Sequence, residues 1–332
     1  MKSSIEVQYN KCKSTKKLTD DCEDFSWVDN AGGSADTITM TLTNKSGKWF
    51  KNYMPDTRDT VKTWIKVEDW PGVTKNNKVF CGKFAVDSLG FSGYPQTLEL
   101  SGLSVPIRTG FKVRQKSHTW KKTTLHSILR TIAKSAGIGL VYDAADHKIS
   151  SISQSGQTDL EFAFSLCSDY GIALKLYNGK MCAYDKTKYE KKAAKHTISK
   201  GQEESYNISK SVAQTYNGVK IQYTSGKKKK TLSYEFHRPG TKGTRQMFVN
   251  EKAESLAQAQ TKAKAALREN IRQAITVSIT MRGNIRYMAA ENVNLKGWGK
   301  LDGKYFIDTA THEKSGGKYT TTLDMHKCVT DF

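Results

Sequence analysis

The residues best suited to chemistry in this chain are its cysteines, histidines and paired carboxylates. A thiol–imidazole nucleophile pair, for example Cys167 with His126 or His147, is one arrangement to weigh. A thiol becomes nucleophilic only when a nearby base or cation lowers its pKa. Cys167 follows Phe164 and Leu166 on the apolar side of a predicted helix, so an inert buried thiol is the expectation. Asp20-Asp21, Glu23-Asp24 and Glu203-Glu204 could supply acid–base pairs, but they fall in turn-like stretches without the apolar surroundings that raise a carboxyl pKa. His118 and His126 are too far apart for a helical metal pair. There is no GxSxG elbow, phosphate loop or HExxH motif. The reading is therefore not an enzyme, with no catalytic residue, no metal site and no cofactor.

The elements that would position such residues are mostly strands. Asp36 to Leu42 alternates, placing Ile38, Met40 and Leu42 on one face. Val61 to Val67, Val79 to Asp87 and Thr97 to Leu103 continue this pattern, and Gly82 marks a bulge or bend. Turn residues such as Trp70-Pro71-Gly72 separate the runs. Near residue 118 the period changes. Leu125, Ile128, Leu129 and Ile132 form a helical stripe after Thr123-Thr124, with a stop at Gly137. Strand-like Ile138 to Tyr142 follows. A second unit repeats the outline: a helix from Asp159 to Tyr170, a stop at Gly171, then two strands about Asn178-Gly179, a strong hairpin signal.

From about residue 200 strands return. Val219 to Tyr223 and Leu232 to Phe236 predict a hairpin with Lys227, Lys228, Lys229 and Lys230 at or near its tip. A long helix is expected over roughly 251–272, with a narrow face of Leu256, Ala259, Ala263, Ala266 and Leu267 against a flat surface. Ile275 to Met281, Val293 to Leu295, Tyr305 to Ile307 and Thr320 to Met325 supply the last strands. The fold class is mainly β with an α/β insert. The expected domains are a first barrel over 1–117, an insert over 118–190 and a second barrel with the long helix over 191–332.

Composition limits the partners. The 332-residue chain has a formal net charge of +21. Counted by segment, residues 1–110 carry +2, 111–190 carry +5 and 191–332 carry +14. The last third is the part expected to meet something acidic, unless its lysines serve only to keep strands soluble and edges unpaired. The lysine run of 227–230 is a possible partner-contact loop. Phosphate contact there, with Tyr216, Tyr223, Tyr234 and Phe236 stacking bases, is the alternative. No stretch approaches the roughly 18 apolar residues of a membrane span, and the N-terminal residues do not resemble a signal peptide. Six scattered cysteines without CxxC spacing suit a reducing cytoplasm.

Residues 79–142 resemble the phage late control protein D and XkdQ-like family, with Thr124-Leu125-His126-Ser127-Ile128-Leu129 at the family's Thr-Leu-x-x-Ile-Leu helix. Ser155 to Asp159, Asp169-Tyr170-Gly171 and Asn178-Gly179-Lys180 resemble its next segment. Asp302 to Ile307, His312 and Gly317 to Leu323 resemble its closing strands. At Ala289-Ala290-Glu291 the family more often carries glycine, which puts the local turn in doubt. The resemblance implies a structural baseplate hub of a contractile phage-type tail or tail-like bacteriocin. It implies a homotrimer whose doubled barrels join a hexameric tail tube or tube initiator to a central spike protein, among other baseplate proteins. Such a particle would assemble in the bacterial cytoplasm. A cell-wall hydrolase of the tail tip and a basic nucleic-acid-binding module are the competing functions.

Overall fold

The structure, a computed structural model, describes residues 1–10, 19–51, 53–56, 59–73, 77–106, 110–211, 215–225, 230–241, 243–250 and 253–332, with only the backbone at 224, 225 and 230. The protein is mainly β, in several sheets. The largest sheet has twelve strands and draws on both ends of the chain. Its N-terminal members are β1 (Lys2–Tyr9), β2 (Cys22–Asn30), β3 (Thr37–Thr43), β4 (Thr60–Glu68), β5 (Lys78–Ser92) and β6 (Thr97–Leu103). Its C-terminal members are β12 (His196–Ser199), β13 (Glu203–Lys210), β17 (Ile275–Arg282), β18 (Asn292–Lys296), β19 (Gly303–Ser315) and β20 (Lys318–Lys327). The main path runs β1-β4-β5-β6-β3-β2-β19-β20-β17-β13, with β12 and β18 to one side. Every neighbouring pair on the path is antiparallel.

The two strand-rich halves are therefore joined edge to edge at β2 and β19, where Trp27 pairs with His312 and Val28 with Thr311. Each half buries its own apolar face. Trp27, Ile38, Met40, Leu42, Ile65, Phe84 and Leu98 fill the first core, and Ile279, Met281, Leu295, Tyr305, Ile307 and Leu323 the second.

Four strands of each half share one layout. Numbered by chain order within each set, β2, β3, β5 and β6 run across the sheet in the order third, fourth, second, first, and so do β13, β17, β19 and β20. The irregularities coincide as well. The first strand of each set bulges near its start, at Glu23 in β2 and Glu204 in β13. The third strand of each set bulges at Asp87 in β5 and Asp308 in β19. Bulges insert one residue and are placed features of a sheet. Aligning them matches Trp27 with Ile208, Leu100 with Leu323 and Phe91 with His312, and the strand pairings of both sets agree with that match. The chain thus contains a four-stranded unit twice.

Between the units lie smaller elements. A ribbon of β7 (Gln115–Thr124) and β9 (Lys148–Thr158) carries α1 (Leu125–Ser135) and α2 (Asp159–Asp169) on its ends. Thr124 caps α1 by accepting from the Ser127 amide, and Thr158 with Glu161 forms a capping box on α2. The sheet of β8 (Gly139–Asp143), β10 (Ile172–Tyr177) and β11 (Lys180–Asp185) completes this region, with Asn178 and Gly179 both at positive φ in the hairpin turn. The expected helix-then-strand units are present, but the ribbon was not expected: β7 starts before residue 118, and β9 is too rich in Ser and Gln to alternate. A short α3 (Lys186–Glu190) leads on to the second half.

The hairpin of β14 (Gly218–Ser225) and β15 (Lys230–His237) forms as expected, yet it lies outside the large sheet, in a separate one with β16 (Gln246–Val249). The long helix, α4, covers Leu256–Arg272 rather than starting at 251, because Ser255 caps it through the Gln258 amide. Ala259, Ala263 and Leu267 pack on Val219 and Ile221 of this small sheet. Leu256 is 48% exposed, and the buried face instead takes in Lys262, Ala265, Ile271 and Arg272.

Candidate functional site

Lys227, Lys228 and Lys229 lie outside the described residues, and of Lys230 only the backbone, opening β15, is described. Cys167 is fully buried among Leu129, Leu166 and Leu174, and that burial pushes its thiol pKa up. It is a thiol at neutral pH, not a nucleophile. His147 stacks on Tyr170 and His126 lies against Tyr142. Glu23-Asp24 and Glu203-Glu204 lie in β2 and β13, not in turns. Lys200 holds the Glu203 carboxyl below the usual range, and Glu204 pairs with Lys318 at 2.6 Å. The described cysteines are all free thiols.

What the sheet does build is a surface. On the side away from the cores, the alternate residues of eight adjacent strands are mostly Ser and Thr. Ser88 and Ser92 of β5 begin it, followed by Ser101 of β6, Thr39 and Thr41 of β3 and Ser26 of β2. Beyond the junction it continues through Thr311 of β19, Thr322 of β20, Thr280 of β17 and Ser205 and Ser209 of β13. Cross-strand hydroxyl contacts tie neighbours together, with Thr280 and Thr322 at 2.9 Å. At its paired positions this face carries four acids, Asp24, Glu99, Glu313 and Asp324, against two bases, Arg282 and Lys318, so it is slightly acidic in a strongly basic chain. The pattern ends at the first half of β5, where Lys83, Lys62 and Lys66 take over on β5 and β4.

Both borders of this face are open. β4 pairs with β5 only as far as Ala85, so among the described residues no strand covers the outer edge of β5 from Ser88 to Ser92. The outer edge of β13 is likewise unpaired by any described strand. Unpaired edges are templates for another strand. Both carry exposed aromatics: Phe50 stacks on Phe91 at 4.6 Å and is 51% exposed, while Tyr206, 53% exposed, meets Trp298 edge-on. Lys200 sits over both rings of the second pair.

The intervening region is locked to the sheet by buried charge. Lys175 of β10 reaches across to Asp29, Asp36 and the Asn30 carbonyl of the first half. Burial pushes the Asp36 carboxyl up to about 7, against the pull of Lys175. A second cluster joins α3, α4 and β20. Glu190 accepts from Arg272 at 2.5 Å, from His326 at 3.0 Å and from the Val329 amide at 3.1 Å. The other ring nitrogen of His326 meets Asp308, the bulged residue of β19, at 2.5 Å. Burial lowers the His326 pKa, but Asp308 and Glu190 more than reverse this, so the protonated ring is favoured relative to a free imidazole. His312 is the opposite case. Burial takes its pKa down to about 4, and its neutral ring stacks on Trp27 at 5.0 Å across the β2–β19 junction. None of these groups was identifiable from sequence as buried.

The YQBQ-like family profile matches residues 111–326, about two thirds of the chain. The chain belongs to the YQBQ-like family. No curated protein matches the sequence. The fold of this YQBQ-like protein is that of several solved tail proteins. A tail protein from Neisseria meningitidis MC58 superposes with a TM-score of 0.73 at 14% identity, covering 98% of this chain and 97% of that one. The prophage MuSo2 43 kDa tail protein from Shewanella oneidensis gives 0.73 at 13%, covering 99% and 100%. The E. coli c3393 protein, a component of the type VI secretion system, gives 0.66 at 10%, covering 98% and 78%. At these identities the likeness is one of fold. No described helix is long and apolar enough to cross a membrane.

Proposed function

We propose that this YQBQ-like protein is a structural tail component, a homotrimeric baseplate hub of the late control protein D type. The observation that carries the reading is the doubled four-stranded unit. The units follow one another head to tail in the sheet, so that β2, at one side of the first unit, pairs with β19, at the facing side of the second. Three copies in a ring supply six such units. A ring of that kind meets a hexameric tail tube, or its initiator, on one side and a trimeric spike on the other. Head-to-tail contacts of this kind close when the rotation fits.

The hydroxyl face then lines the lumen. Its near-neutral, slightly acidic character lets a polyanion or a folded cargo pass without being held. Lysines outside this face are left for spike, tube and other baseplate partners, and the lysine run 227–230 is proposed as a contact for one of them. The solved neighbours named as tail proteins and as a secretion-system component support this assignment. Assembly takes place in the bacterial cytoplasm before the particle is released.

Native mass spectrometry with electron microscopy of the purified protein is the test. A ring-shaped trimer with a pseudo-sixfold lumen is expected. A monomer at every concentration reached, and no ring in assembled particles, would remove the reading.

A further inference from the structure

The repeat does more than suggest a ring; it specifies how two copies join. Inside one chain, the first strand of unit one pairs with the third strand of unit two, β2 with β19. At the borders of the face, the first strand of unit two is β13 and the third strand of unit one is β5. These are the two strands whose edges are open. We infer that β13 of one copy pairs with the second half of β5 of the next, reproducing between chains the junction seen within the chain. This rests on the trimer reading and goes further, to the residue.

The register follows from the bulges. Within the chain Val28 faces Thr311, Trp27 faces His312 and Ser26 faces Glu313. Counted from the bulges at Glu23 and Glu204, Val28 corresponds to Ser209, Trp27 to Ile208 and Ser26 to Asn207. Counted from Asp87 and Asp308, Thr311 corresponds to Gly90, His312 to Phe91 and Glu313 to Ser92. The junction therefore pairs Ser209 with Gly90, Ile208 with Phe91 and Asn207 with Ser92 of the neighbouring copy.

Three features agree with it. The large sheet alternates direction strictly from β5 to β13 over eight strands, so a head-to-tail neighbour arrives antiparallel, as β19 does to β2. Ile208 and Phe91, each only partly buried, meet on the core side where Trp27 and His312 stack within the chain. Ser209, Asn207, Gly90 and Ser92 lie on the hydroxyl side and carry that face across the junction without a charge.

Directly opposed residues of an antiparallel pair are about 4.5–5.5 Å apart at Cα, within disulfide reach. Gly90 accepts a Cβ, its nearest neighbour being the Glu99 Cβ at 3.8 Å, and its φ is not in the left-handed region. The test is oxidation of G90C/S209C, with S92C/N207C as a second in-register pair in case the first folds poorly. V28C/T311C reports the same junction within one chain, and S92C/S209C is out of register. The expected result is a ladder of dimers and cyclic trimers from both in-register pairs, with little from S92C/S209C or the single variants. V28C/T311C should give an internal bond without a change in mass. A trimer by native mass spectrometry that cross-links only out of register, or not at all, overturns this junction and leaves the trimer standing. A protein that stays monomeric and uncross-linked overturns both.

Discussion

Glu190 is the residue whose loss the structure predicts most sharply. It is fully buried and its carboxylate accepts three hydrogen bonds, from Arg272, His326 and Val329. Glu190→Gln keeps the shape, removes the charge and turns an amide donor toward groups that are themselves donors. Removing one partner of a buried ion pair costs about 3–5 kcal/mol, because the remaining charge is stranded. Arg272 keeps Glu269 at 3.1 Å and His326 keeps Asp308, so the lower end, about 3 kcal/mol, is expected. For domains of about 150–250 residues 1 kcal/mol corresponds to roughly 2–4 °C, which makes the fall in Tm roughly 6–12 °C. Urea unfolding at neutral pH gives the free energy, and a double-mutant cycle with Arg272→Met isolates the pair. The double variant should be less damaged than the sum of its parts. A loss below about 1 kcal/mol for Glu190→Gln, with a coupling near zero, would refute the claim that this cluster holds α3 and α4 to β20.

Other outcomes follow from the same contacts. His326 has a folded pKa above its ordinary value of about 6.5, so its stabilising contribution is complete below that pH and fades as pH rises through the folded pKa. Urea midpoints should fall from mildly acidic toward alkaline pH, and His326→Gln should flatten that dependence. Ala290 sits at φ 65, in the place where the resembling family more often carries glycine. Ala290→Gly should raise stability by about 0.5–1 kcal/mol in the same assay, since alanine is strained there and glycine is not. Cys81 and Cys167 are fully buried with raised thiol pKa values. Both should stay unlabelled by maleimide under native conditions and react on unfolding; fast native labelling of either would contradict the packing.

Much of the fold was legible because local chemistry and tertiary structure agree where the elements are regular. Thr124 stands just before the first helical stripe and caps that helix, and Asn178-Gly179 makes the turn its type demands. The alternation from Asp36 to Leu42 faces one core throughout. The candidate site was not legible. Its Ser and Thr residues read as ordinary polar faces of separate strands, and only pairing brings them onto one surface. Glu190, Lys175 and Arg272 have the composition of surface residues, and their burial depends on contacts far away in the chain. The repeat was hidden for a related reason. Trp27 and Ile208, or Phe91 and His312, share a position and no chemistry. What the two units keep in common is pairing order and four bulges, all at acidic residues, and neither can be seen before the strands are assembled.

Three of those four acids bear on the charge that composition left unexplained. Asp87 pairs with Lys112, Glu204 with Lys318 and Asp308 with Lys186 and His326. The sheet therefore spends some of its cations in fixing its own irregularities. Most of the remaining excess is kept off the hydroxyl face, where Arg282 and Lys318 are the basic side chains at paired positions. If lysines served only to block edges, the exposed borders at β5 and β13 should carry them. Instead Ser88 to Ser92 has none, and β13 has only Lys210 at its end. The borders of the face lack the usual protection against strand addition, which is what a protein whose edges are meant to be paired requires. In the proposed ring the positive charge then belongs to the outer surface, where an acidic partner can meet it without obstructing the lumen.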